Sequence, residues 1–290
     1  MKAAFTLDDL PLWPHGPMPE GYTPAGIADA IVAALDRHGI GGVYAFSNSW
    51  PLLENPDYAG IMDGWVDAGH HVANHTHSHP ELNDVEADAY IADIDLAEEH
   101  LRPWLSRAPA RFFRYTLNYW GDTPDKLTRV KAHVDGLGLT VAEVTTMFHE
   151  WEWNRAYKGC LAANDREGIE FLKRSFLDFS VAQLRYDMAC ARDWFGRDIC
   201  GVTLGHNLPF FAEVADDLFA RLIDEGLRFV PLEEAARDPA YDAVCSVVSS
   251  EFMVYQQKLA HAAGRPVPDV VPDFRPTYAR IEEMAEGQPY

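Results

Sequence analysis

The chain has 290 residues, 48% of them hydrophobic and 24% charged, which is ordinary globular usage and excludes wholesale disorder. Asp and Glu outnumber Lys and Arg 45 to 24, for a formal net charge of -21. That excess repels phosphate backbones and anionic lipid surfaces over roughly a Debye length, so neither nucleic acid nor a membrane is expected as a partner. Solubility is its plainest purpose, and it also suits a neutral or cationic substrate.

The length fits one domain of the α/β-barrel kind. No apolar run approaches the ~18 residues needed to span a bilayer, and the opening MKAAFTLDDL lacks the apolar core of a signal peptide. A soluble cytoplasmic chain is expected as it stands, and a periplasmic or secreted one if a leader has been trimmed. Cys160, Cys190, Cys200 and Cys245 form no C-x-x-C pair, so buried free thiols are expected instead of a zinc ribbon or redox motif.

In chain order, short apolar runs alternate with longer amphipathic stretches, the pattern of repeated βα units around a parallel sheet. The first strand is expected at 2–7. Thr23 then supplies an N-cap, Pro24 the first helical position and Gly39 the close of a helix whose Ile27, Ile31, Ala34 and Leu35 share one face. Strands follow at 42–46, 71–74, 111–114, 139–144, 199–204 and 227–230, giving seven. Helices are expected at 56–68, 84–101, 124–136, 165–195 and 212–225. Beyond Asp242 the pattern weakens to a helix-like stretch at 249–263 and a Pro-rich run at 265–276, which cannot sustain a helix or a central strand. The expected division is a catalytic barrel over 1–240 and a C-terminal extension over 241–290 that wraps it.

Two clusters carry chemistry. Asp8-Asp9 leaves the first strand at the carboxyl end of the sheet, where barrel active sites are built. Adjacent residues point different ways, so one carboxylate can hold a metal while its neighbour reaches the metal's water. After the third strand, His75, His77 and His79 fall within five residues. The i, i+4 spacing of His75 and His79 would place both on one face of a helical turn, and imidazole with carboxylate suits Zn, Co, Ni or Fe. His77 is expected to face elsewhere, and His70 and His71 to be structural.

These residues resemble the polysaccharide deacetylase (NodB-homology, carbohydrate esterase family 4) enzymes. Thr6-Leu7-Asp8-Asp9 matches the family's T-F-D-D motif, and His75-Thr76-His77-Ser78-His79 matches its H-[ST]-x-x-H. Arg114 resembles the arginine of the third motif, although Tyr115, Thr116 and Asn118 stand where that motif carries two prolines and a glycine. Glu150-Trp151, with Glu152-Trp153 close behind, resembles a fourth motif that usually ends in Asp-Trp. Leu204-Gly205-His206 matches the L-x-H of the fifth. The likeness spans roughly residues 2 to 236.

The resemblance implies a distorted (β/α)7 barrel with one divalent ion, zinc or alternatively cobalt or nickel, on Asp9, His75 and His79. It implies that Asp8 is the general base and that Arg114 orients Asp8 and keeps it ionised. It further implies that His206 is the general acid, partnered by Glu150 or Glu152, with Glu150 preferred. By the same resemblance the amide of Leu117 would be the oxyanion donor, and Trp151 and Leu204 would line a small acyl pocket. The implied reaction removes an acetyl group from an N-acetylated sugar or polysaccharide. Two alternatives stand beside it: hydrolysis of a small cyclic amide, imide or O-acetyl ester, and a metal-retaining carbohydrate-binding protein without turnover. Nothing in the sequence fixes the oligomeric state.

Overall fold

The computed structural model of the chain describes residues 1–12, 16–243, 247–265 and 267–288. Strand β1 (Lys2–Leu10) runs through the middle of the sheet with every residue but Lys2 buried. Around it lie β2 (Tyr44–Ser47), β3 (His71–Asn74), β4 (Phe112–Phe113), β5 (Thr140–Val141), β6 (Thr146–Met147), β7 (Cys200–His206) and β8 (Arg228–Phe229). All pairings are parallel, in the order β5-β4-β3-β2-β1-β7-β6, and β8 pairs with Lys2 and Ala3 of β1. The seven-strand path curls into a half-barrel surrounded by helices, the architecture expected from the sequence.

Each of the seven expected strand positions holds a strand, though several are shorter. Strand β6 is not among the strands expected from the sequence. Its two residues pair with Thr203 and Leu204 of β7, a non-local partner that decides a strand too short to show alternation. Nor is the helix Glu150–Ala163 among the expected helices; its N-cap is His149 in the left-handed conformation (φ 54°) instead of a capping Ser, Thr or Asp. The first helix, Pro24–Arg37, follows expectation: Thr23 Oγ1 accepts from Gly26 N at 3.0 Å, and Ile27, Ile31, Ala34 and Leu35 are buried.

Strands β5 and β6 lie at opposite ends of the strand order, and residues 142–145 cross between them. Ala142 N donates to Phe113 O (2.8 Å) on one side and Thr145 N to Val202 O (2.9 Å) on the other. The C-terminal segment lies across this opening. Tyr255 N donates to Val144 O (2.8 Å), Gln256 Nε2 to Thr145 O (2.7 Å) and Lys258 Nζ to Glu143 Oε2 (3.0 Å). Within the expected helix-like stretch, Tyr255–Ala262 is helical. One expectation for the Pro-rich run is corrected: a last helix, Arg275–Met284, begins inside it, because Pro276 sits in the first turn, where no N–H is needed. Val270, Val271, Ile281 and Ala285 are buried in the same apolar cluster as Trp153 and Phe176. Cys160 is buried, Cys190 and Cys200 are partly so, and all three are free; Cys245 lies outside the described residues. Among the described residues no helix is long and apolar enough to cross a membrane.

Gly205 allows β7 to approach the outer helix that begins at Pro209. A Cβ there would stand 2.7 Å from Cζ of Phe211 and 3.1 Å from Cζ of Phe5, both buried rings. Gly205→Ala is therefore predicted to destabilise the protein by about 1–3 kcal/mol through overpacking, lowering the calorimetric midpoint by roughly 2–4 °C per kcal/mol. An unchanged midpoint would show that the two rings yield freely.

Candidate active site

The site forms at the carboxyl ends of the strands. A register shift between Asp8 and Leu10 breaks the β1–β2 ladder, and Asp9 adopts φ 64°. The two carboxylates therefore lie within the last residues of a longer β1, not beyond it as the sequence suggested. Both are buried. Arg114, one residue past β4, donates from Nη1 to Asp8 Oδ1 at 2.6 Å and to Thr6 Oγ1 at 2.9 Å. Its Nε donates to Ala142 O (3.2 Å), and its guanidinium lies 3.9 Å from the Phe46 ring centroid. With its side chain 1% exposed, Arg114 is no surface ion pair.

His75 follows β3, with Nδ1 hydrogen-bonded to Arg114 O at 2.8 Å. A carbonyl only accepts, so Nδ1 carries the proton and Nε2 keeps its lone pair. That Nε2 stands 3.6 Å from Asp8 Oδ2 and 3.9 Å from Asp9 Oδ1, and His79 Nε2 is 3.6 Å from the same Asp9 oxygen. Ligand atoms of Asp9, His75 and His79 lie within 4.8 Å of one another. The expected helical turn between the two imidazoles is absent. Residues 75–79 form a loop with Thr76 at φ 70° and His79 at φ 57°, and these left-handed positions, not an i, i+4 face, bring the rings to 5.1 Å. His77 faces away as expected, with Nδ1 2.7 Å from Ser49 Oγ. His70 is structural, accepting from Val43 N at 3.3 Å.

The donor set fits a divalent cation. Asp9 Oδ1 is buried without a hydrogen-bond partner. Burial lifts the Asp9 carboxyl to about 8, with Asp8 and Glu150 adding to the effect and His206 and Arg114 opposing it. Burial lowers His75 to about 3, so this imidazole is neutral, as a ligand must be. An orphaned carboxylate oxygen facing two imidazoles is an arrangement that a cation would satisfy.

Across the pocket, Glu150 Oε1 accepts from His206 Nδ1 and from His206 N, each at 2.7 Å. Glu152 instead pairs with Arg155 at 2.7 Å, which separates the two candidates left open by the sequence. Glu150 opens the helix after β6, not after β5. Burial works against a charged His206, but the charge and hydrogen bond of Glu150, with Asp9 and Asp8, outweigh it and raise the imidazole to about 9. The Trp151 ring meets His206 edge-on at 5.5 Å.

One pocket of about 390 Å³ gathers Asp8, Asp9, His75, His79, His206, Leu117, Trp151 and Leu204. Arg114 and Glu150 stand behind its lining, each bonded to a residue that faces it. Leu117 (φ 51°) and Asn118 (φ 52°) are both left-handed, which bends this segment into the pocket without the family's prolines. Glu81, Tyr115, Asn118, Tyr119 and Phe252 also line the pocket, and the sequence reading did not single them out as lining residues. Tyr115, Asn118 and Tyr119 flank Leu117 and were findable from it; nothing in the sequence ties Phe252 to the motifs.

Fold and site together define a parallel β/α half-barrel with a candidate Asp-His-His metal cluster at the carboxyl end of its strands. The resemblance drawn from the motifs is borne out: residues 2–132, which include Asp8, Asp9, His75, His79 and Arg114, match the family model for polysaccharide deacetylase. No curated protein matches the chain in sequence. Among solved structures, it is similar to a mutant, with restored enzymatic activity, of a CE4 family pseudoenzyme from Bacillus anthracis, at 14% identity and TM-score 0.55, over 81% of this chain and 67% of that one. It is also similar to a family 4 carbohydrate esterase from Streptomyces lividans in complex with acetate, at 16% identity and TM-score 0.52, over 81% and 95% of the two chains. A peptidoglycan N-acetylglucosamine deacetylase, Bc1960, aligns at 20% identity and TM-score 0.51, over 81% and 87%. At these identities the likeness establishes the fold.

The His206–Glu150 pair gives a pH dependence with a definite sign. The folded pKa of about 9 lies above the ordinary 6.5, so the pair's stabilisation is complete below about 6.5 and is lost as pH rises through about 9. In chelator-treated protein, Glu150→Gln is predicted to drop the His206 midpoint to below about 7. The stability difference from wild type is predicted to shrink between pH 6 and pH 10. Imidazole NMR titration and urea unfolding at the two pH values measure these effects, and a midpoint that stays near 9 in the variant would refute the assignment.

Proposed function

We propose that the chain is a metal-dependent deacetylase-type hydrolase acting on a carbon–nitrogen bond outside peptides, its substrate an N-acetylated sugar or a small amide. The observation that carries this reading is the meeting, in one pocket, of an Asp9-His75-His79 cluster, a carboxylate anchored by a buried arginine and an imidazole raised by a buried glutamate. A divalent ion held by Asp9, His75 and His79, zinc by preference and cobalt or nickel alternatively, would supply Lewis-acid activation of water and of the acyl carbonyl.

The chain's own residues account for the proton movements. Arg114 occupies Asp8 Oδ1 and leaves Oδ2 turned toward His75, so Asp8 takes a proton at Oδ2 from an attacking water. Glu150 holds His206 through Nδ1, and His206 gives a proton from Nε2 to the departing amine. The left-handed Leu117 offers its backbone N–H to the developing oxyanion, a donor typically worth about 3 kcal/mol. Trp151 and Leu204 enclose the acyl methyl group. A second reading, a small cyclic amide, imide or O-acetyl ester as substrate, is favoured by the aromatic lining of Tyr115, Tyr119, Trp151 and Phe252 in a pocket of about 390 Å³, within the range that small ligands occupy.

The test is acetate or ring-opened product released from N-acetyl sugars, aryl acetates and cyclic imides, with and without chelator. Chelation is predicted to abolish turnover. Asp8→Asn is predicted to lower kcat by about 10²–10⁴-fold while metal content, measured by elemental analysis, stays at the wild-type level. Chelator-resistant activity would sink the metal-dependent mechanism. Full activity in metal-loaded Asp8→Asn would sink the base, and silence across the panel with metal bound would favour a binding protein.

A further inference from the structure

The segment that closes the barrel opening also reaches the pocket. Tyr255, Gln256 and Lys258 are fastened to residues 143–145, and Lys258 Nζ lies 4.1 Å from the Trp120 ring centroid. Val254 shares a buried apolar cluster with Val144, Met147 and Leu204, against which Trp151 and Phe252 pack. Its backbone is pinned by a 2.9 Å bond from Val254 N to Gln257 Oε1. Phe252 is thereby held with its ring edge-on to Trp151 at 5.8 Å, and Trp151 is edge-on to His206 at 5.5 Å. Phe252 belongs to none of the five motifs, yet it continues the wall that Trp151 and Leu204 begin.

We propose that Phe252 is a specificity-determining residue whose ring limits the acyl group to about the length of acetyl. This rests on the acyl-hydrolase reading above. The anchors of the segment are Val254, Tyr255, Gln256 and Lys258, so truncating Phe252 widens the pocket without releasing the segment. Asp8, Asp9, His75, His79 and His206 keep all the partners described above. A longer acyl chain then gains the space the ring occupied, and each added methylene that becomes buried favours it.

The experiment compares wild type with Phe252→Ala on aryl amides and esters carrying acetyl, butanoyl and hexanoyl groups. The butanoyl-to-acetyl ratio of kcat/KM is predicted to rise roughly tenfold, the worth of two buried methylenes, with metal content unchanged. An unchanged ratio, or an equal loss at every chain length, overturns the proposal and leaves the hydrolase reading intact. A parallel arm titrates chelator-treated protein with N-phenyl amides of the same acyl groups, following tryptophan fluorescence. A tenfold shift toward the longer amide there, with no hydrolysis by either untreated, metal-containing protein in the first arm, sustains the wall and sinks the reaction; no shift overturns the wall. If Phe252→Ala does not fold, Phe252→Leu is predicted to give a smaller rise in the same ratio, and no rise in that variant overturns the proposal equally.

Discussion

A fully buried guanidinium sits where the ends of β1, β2 and β4 converge with the chain crossing from β5 to β6. Arg114 binds Asp8 and Thr6 on β1 and Ala142 O on the crossing segment, while its face rests on Phe46 of β2. Its own carbonyl receives the proton of His75 Nδ1, so one residue fixes both the carboxylate and the orientation of a candidate metal ligand. Taking an arginine and an aspartate out of water is expensive, and breaking such a pair by removing one partner typically costs 3–5 kcal/mol. A lysine could not replace it, since a single ammonium cannot bond in one plane to Asp8, Thr6 and Ala142 while stacking on a ring. The family's prolines beside this arginine are absent here, and the pair forms without them.

Charge in the cluster is unbalanced in a way that gives it chemistry. Asp8, Asp9 and Glu150 are buried carboxyls, and among the described residues Arg114 is the permanent cation bonded to this group, at Asp8. His206 takes up a proton against the cost of its burial, and Asp9 holds its own proton to about 8. Burial is the main cause of the Asp9 shift, with the charges of Asp8 and Glu150 adding to it, whereas the His206 shift answers the surrounding excess of negative charge. A cation entering between Asp9, His75 and His79 would relieve that excess and compete with the Asp9 proton, so under the proposed function metal affinity and pH are linked through Asp9.

Much of this was legible in the sequence because its signals are local. Thr23-Pro24, the apolar face of the first helix and the T-x-D-D and L-x-H strand ends declare themselves within a few residues. The candidate metal cluster was also legible, though for a partly wrong reason: the i, i+4 spacing suggested a helix, while the rings meet through left-handed Thr76 and His79 in a loop. Backbone conformations of that kind leave no periodicity to read. Strand β6 was invisible because its partner lies more than fifty residues away, and the helix carrying Glu150 lacks a capping side chain. Phe252 was hidden for a simpler reason: a pocket wall contributed by a tail has no spacing relation to the motifs it joins.

The fold by itself does not decide between turnover and binding. The same architecture is found in a pseudoenzyme and in a mutant of it with restored activity, so the scaffold outlasts the loss of catalysis. What distinguishes an active site on such a scaffold is the set of side chains at the strand ends. Asp9 Oδ1 and Glu150 Oε2 are buried without hydrogen bonds, and an unpaired buried carboxylate oxygen is costly. A protein that needed these strand ends only for stability would do better with apolar residues of the same volume. Under the proposed function, their place beside an anchored Asp8 and His206 is what a catalytic mouth requires.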